Sequence, residues 1–250
     1  MVLKDRIALV TGAGSGIGSA VARAMAAQGA FVVLLARQQA PLETVHDDIR
    51  AAGGQATIVP LDLEKDLARA TDLAPALAQR FGRLDILVNN AAVLGQLTPL
   101  SHYTPQMWEQ VMRVNVTAPF FLTRQLWPLL EASGRASVIN VVSGVGRKGR
   151  AYWGAYAASK AALINLTETW AGEMASERIR LNTLNPGPTR TSMRATAFPG
   201  EDPASLPAPQ DIVPAFLYLA SDHSLGVNGQ HLQAREWRDW QPPQGSPGLV

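Results

Sequence analysis

Tyr156 and Lys160 stand four residues apart in a stretch, Ala155–Ser176, whose pattern predicts a helix. Residues at that spacing share one helix face and lie about 6 Å apart along the axis. An ammonium so placed lowers the proton affinity of the phenol, whose ordinary pKa is about 10. A tyrosine tuned in this way serves as a general acid or base near neutral pH. Ser143 follows the apolar run Ser137–Val142, read as a fifth strand that it terminates. It therefore stands at the carboxyl edge of the expected sheet, off which ligands bind in open parallel sheets. A hydroxyl there can hold a substrate oxygen while Tyr156 transfers its proton. Taken alone, a tyrosine and a lysine at this spacing are usually just two surface residues.

The first apolar run, Ile7–Val10, leads into Thr11-Gly12-Ala13-Gly14-Ser15-Gly16-Ile17-Gly18 and then into a helical stretch ending near Gln28. Glycines let the chain turn sharply and let phosphate oxygens reach main-chain N–H groups; the helix start adds free donors and a partial positive charge. The spacing is T-G-x-x-x-G-x-G, because Ile17 stands where a G-x-G-x-x-G string counted from Gly12 needs glycine. A tight structural turn is the alternative, but a position between the first strand and the first helix points to dinucleotide binding. The second strand ends Leu34-Leu35-Ala36-Arg37. An NAD site commonly carries an acid there, about 20 residues past the glycines, bonded to the ribose 2′-OH. A carboxylate repels a 2′-phosphate, whereas a guanidinium grips it by charge-assisted hydrogen bonds. NADP(H) is expected over NAD(H), unless Arg37 is only a solvated surface residue.

These groups must be positioned by elements that alternate along the whole chain. Strand-like runs lie at Ile7–Val10, Phe31–Leu35, Ala56–Leu61, Ile86–Asn89, Ser137–Val142, Arg180–Asn185 and, more weakly, Gln230–Gln233. Helical stretches lie at Ile17–Gln28, Pro41–Ala52, Leu67–Arg80, Pro105–Leu130, Ala155–Ser176 and Pro209–Ala220. Dense Val, Ile and Leu runs suit strands covered on both faces. The expected fold class is α/β: a single doubly wound Rossmann-type domain over residues 1–240, with a seven-stranded, mostly parallel sheet and helices on both faces. A Pro/Gly-rich tail follows at 241–250. The stretch Pro186–Pro209 holds six prolines and little periodicity, and reads as a loop. Its part Pro188–Pro207, with Met193, Ala197 and Phe198 as an apolar inner surface, suits a lid.

The 250 residues are 47% apolar, enough for one large core. A net charge of +2 gives no electrostatic case for nucleic acid or a membrane surface. Without cysteine there are no disulfides and no thiolate chemistry. The four histidines show no ligand spacing, so no metal is expected. The first residues do not read as a signal peptide, and no apolar run approaches the roughly 18 residues of a membrane helix. A cytoplasmic protein is expected.

The ordered set of motifs resembles the short-chain dehydrogenase/reductase family in its form of about 250 residues. The set comprises the glycine turn, Asp62 after the third strand, Asn89-Asn90-Ala91-Ala92 after the fourth, Asn115, Ser143, Tyr156 with Lys160, and Pro186-Gly187 with Thr191. The resemblance covers Leu3 to about Leu232. The strings at 153–157 and 185–195 are similar to a bacterial YciK-like subgroup. The family implies that Tyr156 donates or accepts the proton, Lys160 tunes it and holds the nicotinamide ribose, Ser143 polarises the carbonyl, and Asn115 fixes a water linking Lys160 to solvent. It implies that Asp62 and Leu63 meet the adenine, and that Asn89, Ala91, Pro186, Gly187, Thr189 and Thr191 line the cofactor. Asn115 alone also reads as a capping or kink residue, and Asp62 as an N-cap. The family also implies a homodimer or homotetramer, packed through 105–130 and 155–176; Phe120, Trp127 and Trp170 are candidates for the exposed apolar faces this needs, or else belong to the chain's own core. One departure stands out: the final strand commonly ends Asp-Gly-Gly, and here reads Ala234-Arg235-Glu236-Trp237, which puts the usual C-terminal subunit packing in doubt.

The reading is thus a reductase or dehydrogenase of a small carbonyl or alcohol, with a 3-oxoacyl thioester reductase as a variant within the family. A catalytically silent NADPH-binding module is the reading from another class; the joint presence of Asn115, Ser143, Tyr156 and Lys160 speaks against it. Sugar-nucleotide epimerisation would need a C-terminal substrate domain. Leu94, Val145, Trp153 and Met193 are candidates for an apolar pocket wall or ordinary core. Arg147, Lys148 and Arg150, on a glycine-rich loop, read either as a site for an anionic substrate tail or as a solvated loop.

Overall fold

The computed structural model describes residues 1–174 and 178–242. Its centre is a seven-stranded sheet: β1 (Ile7–Thr11), β2 (Phe31–Ala36), β3 (Gln55–Pro60), β4 (Ile86–Asn89), β5 (Ala136–Val141), β6 (Ile179–Asn185) and β7 (His231–Gln233). The order is β3-β2-β1-β4-β5-β6-β7, and every neighbouring pair is parallel. The order reverses between β1 and β4, where a doubly wound sheet opens a crevice at its carboxyl edge.

Successive strand residues face opposite sides, so each apolar run feeds two cores. Ala8, Val10, Val32, Leu34 and Ile86 pack under α1 (Gly16–Ala27), α2 (Gln39–Ala51) and α9 (Val213–Ala220). Leu9, Val33, Leu35, Leu87 and Val138 pack under α3 (Leu73–Phe81), α5 (Ala118–Gln125) and α6 (Trp127–Ser133). On that second face α4 (Pro105–Met112) precedes α5, and α7 (Gly154–Gly172) packs on β6. Among the described residues no helix is long and apolar enough to cross a membrane.

The helical stretches read from sequence are broken where prolines sit. Pro105–Leu130 is three helices, with one π-helical turn (Arg113–Thr117) between α4 and α5 and a break at Leu126. Leu67–Asp72 and Pro209–Ile212 are 3-10 turns that lead into α3 and α9. Pro75, Pro119, Pro128 and Pro214 occupy first turns of the following helices, where a missing N–H costs nothing. α7 ends at Gly172, and residues 175–177 lie outside the described part, as do 243–250 of the tail. The stretch Pro186–Pro209 is not a loop throughout. It contains α8 (Ser192–Ala197), started by Thr191, whose hydroxyl accepts from the Arg194 N–H at 3.2 Å.

Candidate active site

A cleft of about 750 Å³ follows the carboxyl edge of the sheet, from the ends of β3 and β2, across the turn after β1, to the ends of β4, β5 and β6. Of the site residues expected from sequence, all but Gly18, Asn89 and Asn115 line it.

At the β1 end, Gly12 holds a φ of +66°, which favours glycine. A Cβ on Gly18 would lie 2.2 Å from the Gly12 carbonyl oxygen, so α1 starts directly against the turn. Ser15, the residue before α1, makes no side-chain cap. The first N–H groups of α1 therefore have no side-chain acceptor and face the cleft, a cradle that fits a pyrophosphate. Arg37 is exposed on the rim beside Gln38 and Pro41. Asp62 lines the same end and also holds its own turn, its carboxylate accepting from the N–H groups of Glu64 (2.9 Å) and Lys65 (3.4 Å).

At the other end, β5 stops at Val141, and Ser143 lies two residues beyond it in extended backbone rather than inside the strand. Tyr156 and Lys160 are buried on the first turns of α7. Burial pushes the Tyr156 phenol up to about 12, against the opposing pull of a hydrogen bond with Ser143. Burial drives the Lys160 ammonium down to about 8. Its Nζ donates to the Val141 carbonyl at 2.8 Å and stands 5.6 Å from the centre of the Tyr156 ring. Contrary to the expectation from spacing, the phenol lies above its ordinary value, because desolvation is the largest effect on both groups. A phenol held this high keeps its proton and is an acid in waiting.

Asn115 lies in the π-helical turn and is fully buried. Its Oδ1 accepts from the Val93 N–H at 2.8 Å, while its Nδ2 donates to the Val93 carbonyl at 2.9 Å and to the Ser159 hydroxyl at 3.0 Å. The side chain thus staples the segment after β4 to α7, and its hydrogen bonds go to protein groups. Asn89 is turned away from the cleft: its amide donates to Asn140 (2.8 Å) and Thr123 (3.2 Å) beneath the sheet edge. The neighbouring Asn90 faces the cleft instead, its amide on the Thr11 carbonyl at 2.9 Å. Thr11 completes the joint, its hydroxyl accepting from the N–H groups of Asn90 (2.9 Å) and Ala91 (3.0 Å). From sequence, Thr11 and Asn90 have no role beyond their place in the motifs and Ser159 is not singled out, because their hydrogen bonds follow from the fold rather than from a spacing.

The expected wall residues Leu94, Val145, Trp153 and Met193 all line the cleft. Trp153 meets Tyr156 edge-on at 5.8 Å and Phe198 at 5.6 Å. Of the three basic loop residues, Arg150 lines the cleft. Arg147 does not, and sits 3.8 Å from Glu168. Arg235 donates to the Pro188 carbonyl and packs against Gly187, where a Cβ would lie 2.8 Å from its Nε.

The family model for short chain dehydrogenases matches residues 6–202, a span holding the glycine turn, Ser143, Tyr156 and Lys160. The chain belongs to the short-chain dehydrogenase family. It is 44% identical over 242 residues to the uncharacterized oxidoreductase YciK of Escherichia coli strain K12, covering 95% of this chain and 94% of the relative. A solved structure from Pseudomonas syringae is 50% identical, with a TM-score of 0.91 over 93% of this chain and 96% of that one. A Shigella flexneri 2a structure, complexed with NADP, is 44% identical with a TM-score of 0.90, over 94% and 98%. The chain is thus an oxidoreductase of the short-chain dehydrogenase type on a Rossmann fold, with YciK-like neighbours.

In this short-chain dehydrogenase the buried ammonium has a measurable cost. Lys160 titrates near 8 folded, against an ordinary 10.5. Between those values the unfolded chain binds the extra proton, so this group's contribution to stability rises with pH across that window; below it the whole penalty applies. In Lys160→Met the penalty is gone at every pH. From pH 7.5 to 10.5 the unfolding free energy of wild type should therefore gain about 3 kcal/mol on that of Lys160→Met. Urea denaturation at the two pH values measures it, and a pH-independent difference would refute the buried charge.

Proposed function

We propose that the chain is an NADP(H)-dependent reductase or dehydrogenase that interconverts a small carbonyl compound and its alcohol. The observation that carries the reading is the group Ser143, Tyr156 and Lys160, assembled at one end of a cleft whose other end is the glycine turn. The NADP complex of the Shigella neighbour supports the choice of nucleotide. The turn from Gly12 to Gly18 and the start of α1 would hold the pyrophosphate, Arg37 the 2′-phosphate, Asp62 and Leu63 the adenine, and Ala91 with Pro186, Gly187, Thr189 and Thr191 the nicotinamide half. When bound, the nicotinamide supplies or accepts the hydride.

The chain's own groups handle the oxygen. The Ser143 hydroxyl donates a hydrogen bond to the substrate carbonyl and fixes its direction. Tyr156, protonated through the physiological range, gives its proton to the same oxygen as negative charge develops there. The Lys160 ammonium stabilises the phenolate left behind, offsetting part of the desolvation that holds the phenol high. Asn115 is a positioning residue that keeps α7 in place. A high phenol pKa favours the acid role, and with it reduction. A silent nucleotide-binding module needs none of this chemistry.

Tyr156→Phe should abolish turnover of a ketone and aldehyde panel while NADPH affinity stays within about twofold; substantial residual activity would sink the assigned acid. Arg37→Ala should weaken NADPH binding by about 1.5–3 kcal/mol, the worth of one hydrogen bond to a charged group, and leave NADH alone. Wild type binding both nucleotides equally in titration calorimetry would rule out the 2′-phosphate grip.

The same reading includes a homodimer or homotetramer. Phe120 on α5 is 41% exposed and packs at 5.8 Å on Trp170 of α7, which stacks on Trp127 at 5.1 Å. An aromatic row open on one side suits a self-complementary contact. Light scattering at micromolar concentration should give two or four times the chain mass, and Phe120→Asp should shift it towards monomer; a monodisperse wild-type monomer refutes the assembly.

A further inference from the structure

The cleft carries acidic residues at only one of its two ends. Its acids, Asp62 and Glu64, follow β3 at the far end from Tyr156. Around Tyr156 the charged lining residues are Lys160, Arg150 and Arg194, all basic. Lys160 is buried and engaged by Val141. Arg194 is neutralised by Glu201, which takes both Nε and Nη2 at 2.6 Å. Arg150 alone is unanswered: among the described residues its side chain has no hydrogen-bond or ion-pair partner.

It is nevertheless held. Its guanidinium lies 4.8 Å from the centre of Phe198 and 5.7 Å from that of Trp153. Phe198 also carries Arg194 at 3.7 Å, and Trp153 touches Tyr156. Contact with aromatic rings engages a guanidinium while leaving its N–H donors for a planar acceptor. One indole ring separates this free fork from the phenol. Leu94, Val145 and Met193 supply apolar walls at the same end.

We propose that the substrate carries a carboxylate about one ring-length from its reacting carbonyl, and that Arg150 receives it. A monoanion matches the single unanswered charge, and a bidentate pair is the strongest contact the fork can make. The proposal rests on the redox reading only in using the same cleft.

The test uses the full chain with 4-acetylbenzoate and its neutral isostere 4-acetylbenzamide. With NADPH, wild type should favour the acid in kcat/KM by about 10- to 100-fold, the worth of a hydrogen bond to a charged group. Arg150→Met should bring the two ketones to within about twofold, chiefly through KM of the acid, and Arg150→Lys should restore part of the preference. Arg147→Met, whose side chain lies outside the cleft, should leave the ratio at the wild-type value. An acid-to-amide ratio near one in wild type, or one that survives Arg150→Met, overturns the proposal. Calorimetry on the NADP-loaded protein separates this from the redox reading. If wild type binds 4-acetylbenzoate and Arg150→Met does not, while neither ketone is turned over, the carboxylate site stands and the carbonyl reading falls. If wild type neither turns over nor binds the acid, the carboxylate site falls.

Discussion

A buried ammonium must have an acceptor, and in this protein that requirement fixes where the chemistry sits. Lys160 is 2% exposed, and its Nζ reaches the Val141 carbonyl at the end of β5. Leaving that donor unpaired in the interior would cost several kcal/mol. The bond therefore pins the first turns of α7 to the sheet edge, and with them Tyr156, one turn earlier. A second tie works from the other side. Asn115 joins α7 at Ser159 to the strand-four exit at Val93, and Ser159 in turn donates to the Tyr156 carbonyl at 2.7 Å. Placing Asn115 there coincides with a π-helical turn, the kind of local irregularity that a helix tolerates where a side chain must be aimed. Lys160 and Asn115 thus hold the helix that carries the phenol at two consecutive residues, one tied to the end of β5 and the other to the strand-four exit.

At the other end of the cleft the constraint is space. α1 begins so close to the turn that nothing larger than hydrogen fits at Gly18. Thr11 and Asn90 then bind β1's exit to β4's exit, one hydroxyl serving two N–H groups. The two strand ends on either side of the topological switch move as one piece, which keeps the phosphate cradle in fixed register with the strand-four segment that Asn115 holds. Hydrogen bonds thus tie the glycine turn to the strand-four exit and that exit to α7.

The legible part of this in the sequence was the part with periodicity or with a fixed spacing. Apolar runs set the seven strands to within a residue or two, since a strand covered on both faces has few other compositions. The glycine turn, and the tyrosine with its lysine, were readable because a backbone shape or one helical turn demands that spacing. What lay hidden was carried by main-chain partners. Asn89 and Asn90 are adjacent and chemically identical, and only the pleat decides that the first faces Asn140 and the second the cleft. α8 was missed because a six-residue helix between prolines has no room for a period; its cap at Thr191 and the pairing of Arg194 with Glu201 define it instead. Spacing reports the nearby cation and says nothing about desolvation, which raises the phenol.

The C-terminal departure from the family's usual string has a physical counterpart. In place of the family's glycines, Ala234–Trp237 forms a 3-10 turn. Arg235 from that turn closes over Gly187 and the Pro188 carbonyl, and Trp237 stacks on Tyr218 of α9 at 3.9 Å. Gly187 itself sits at a φ of +70°, so its shape is set by backbone and its cover by a side chain from the far end of the chain. On the substrate side the cover is again aromatic and cationic: Phe198 just past α8 rests on Trp153 with Arg150 and Arg194 against it. Phe198, just past α8, thus fixes both guanidiniums, so the position of this segment and the orientation of Arg150 go together. A single ring, Phe198, thus joins both guanidiniums to Trp153 at the Tyr156 end of the cleft.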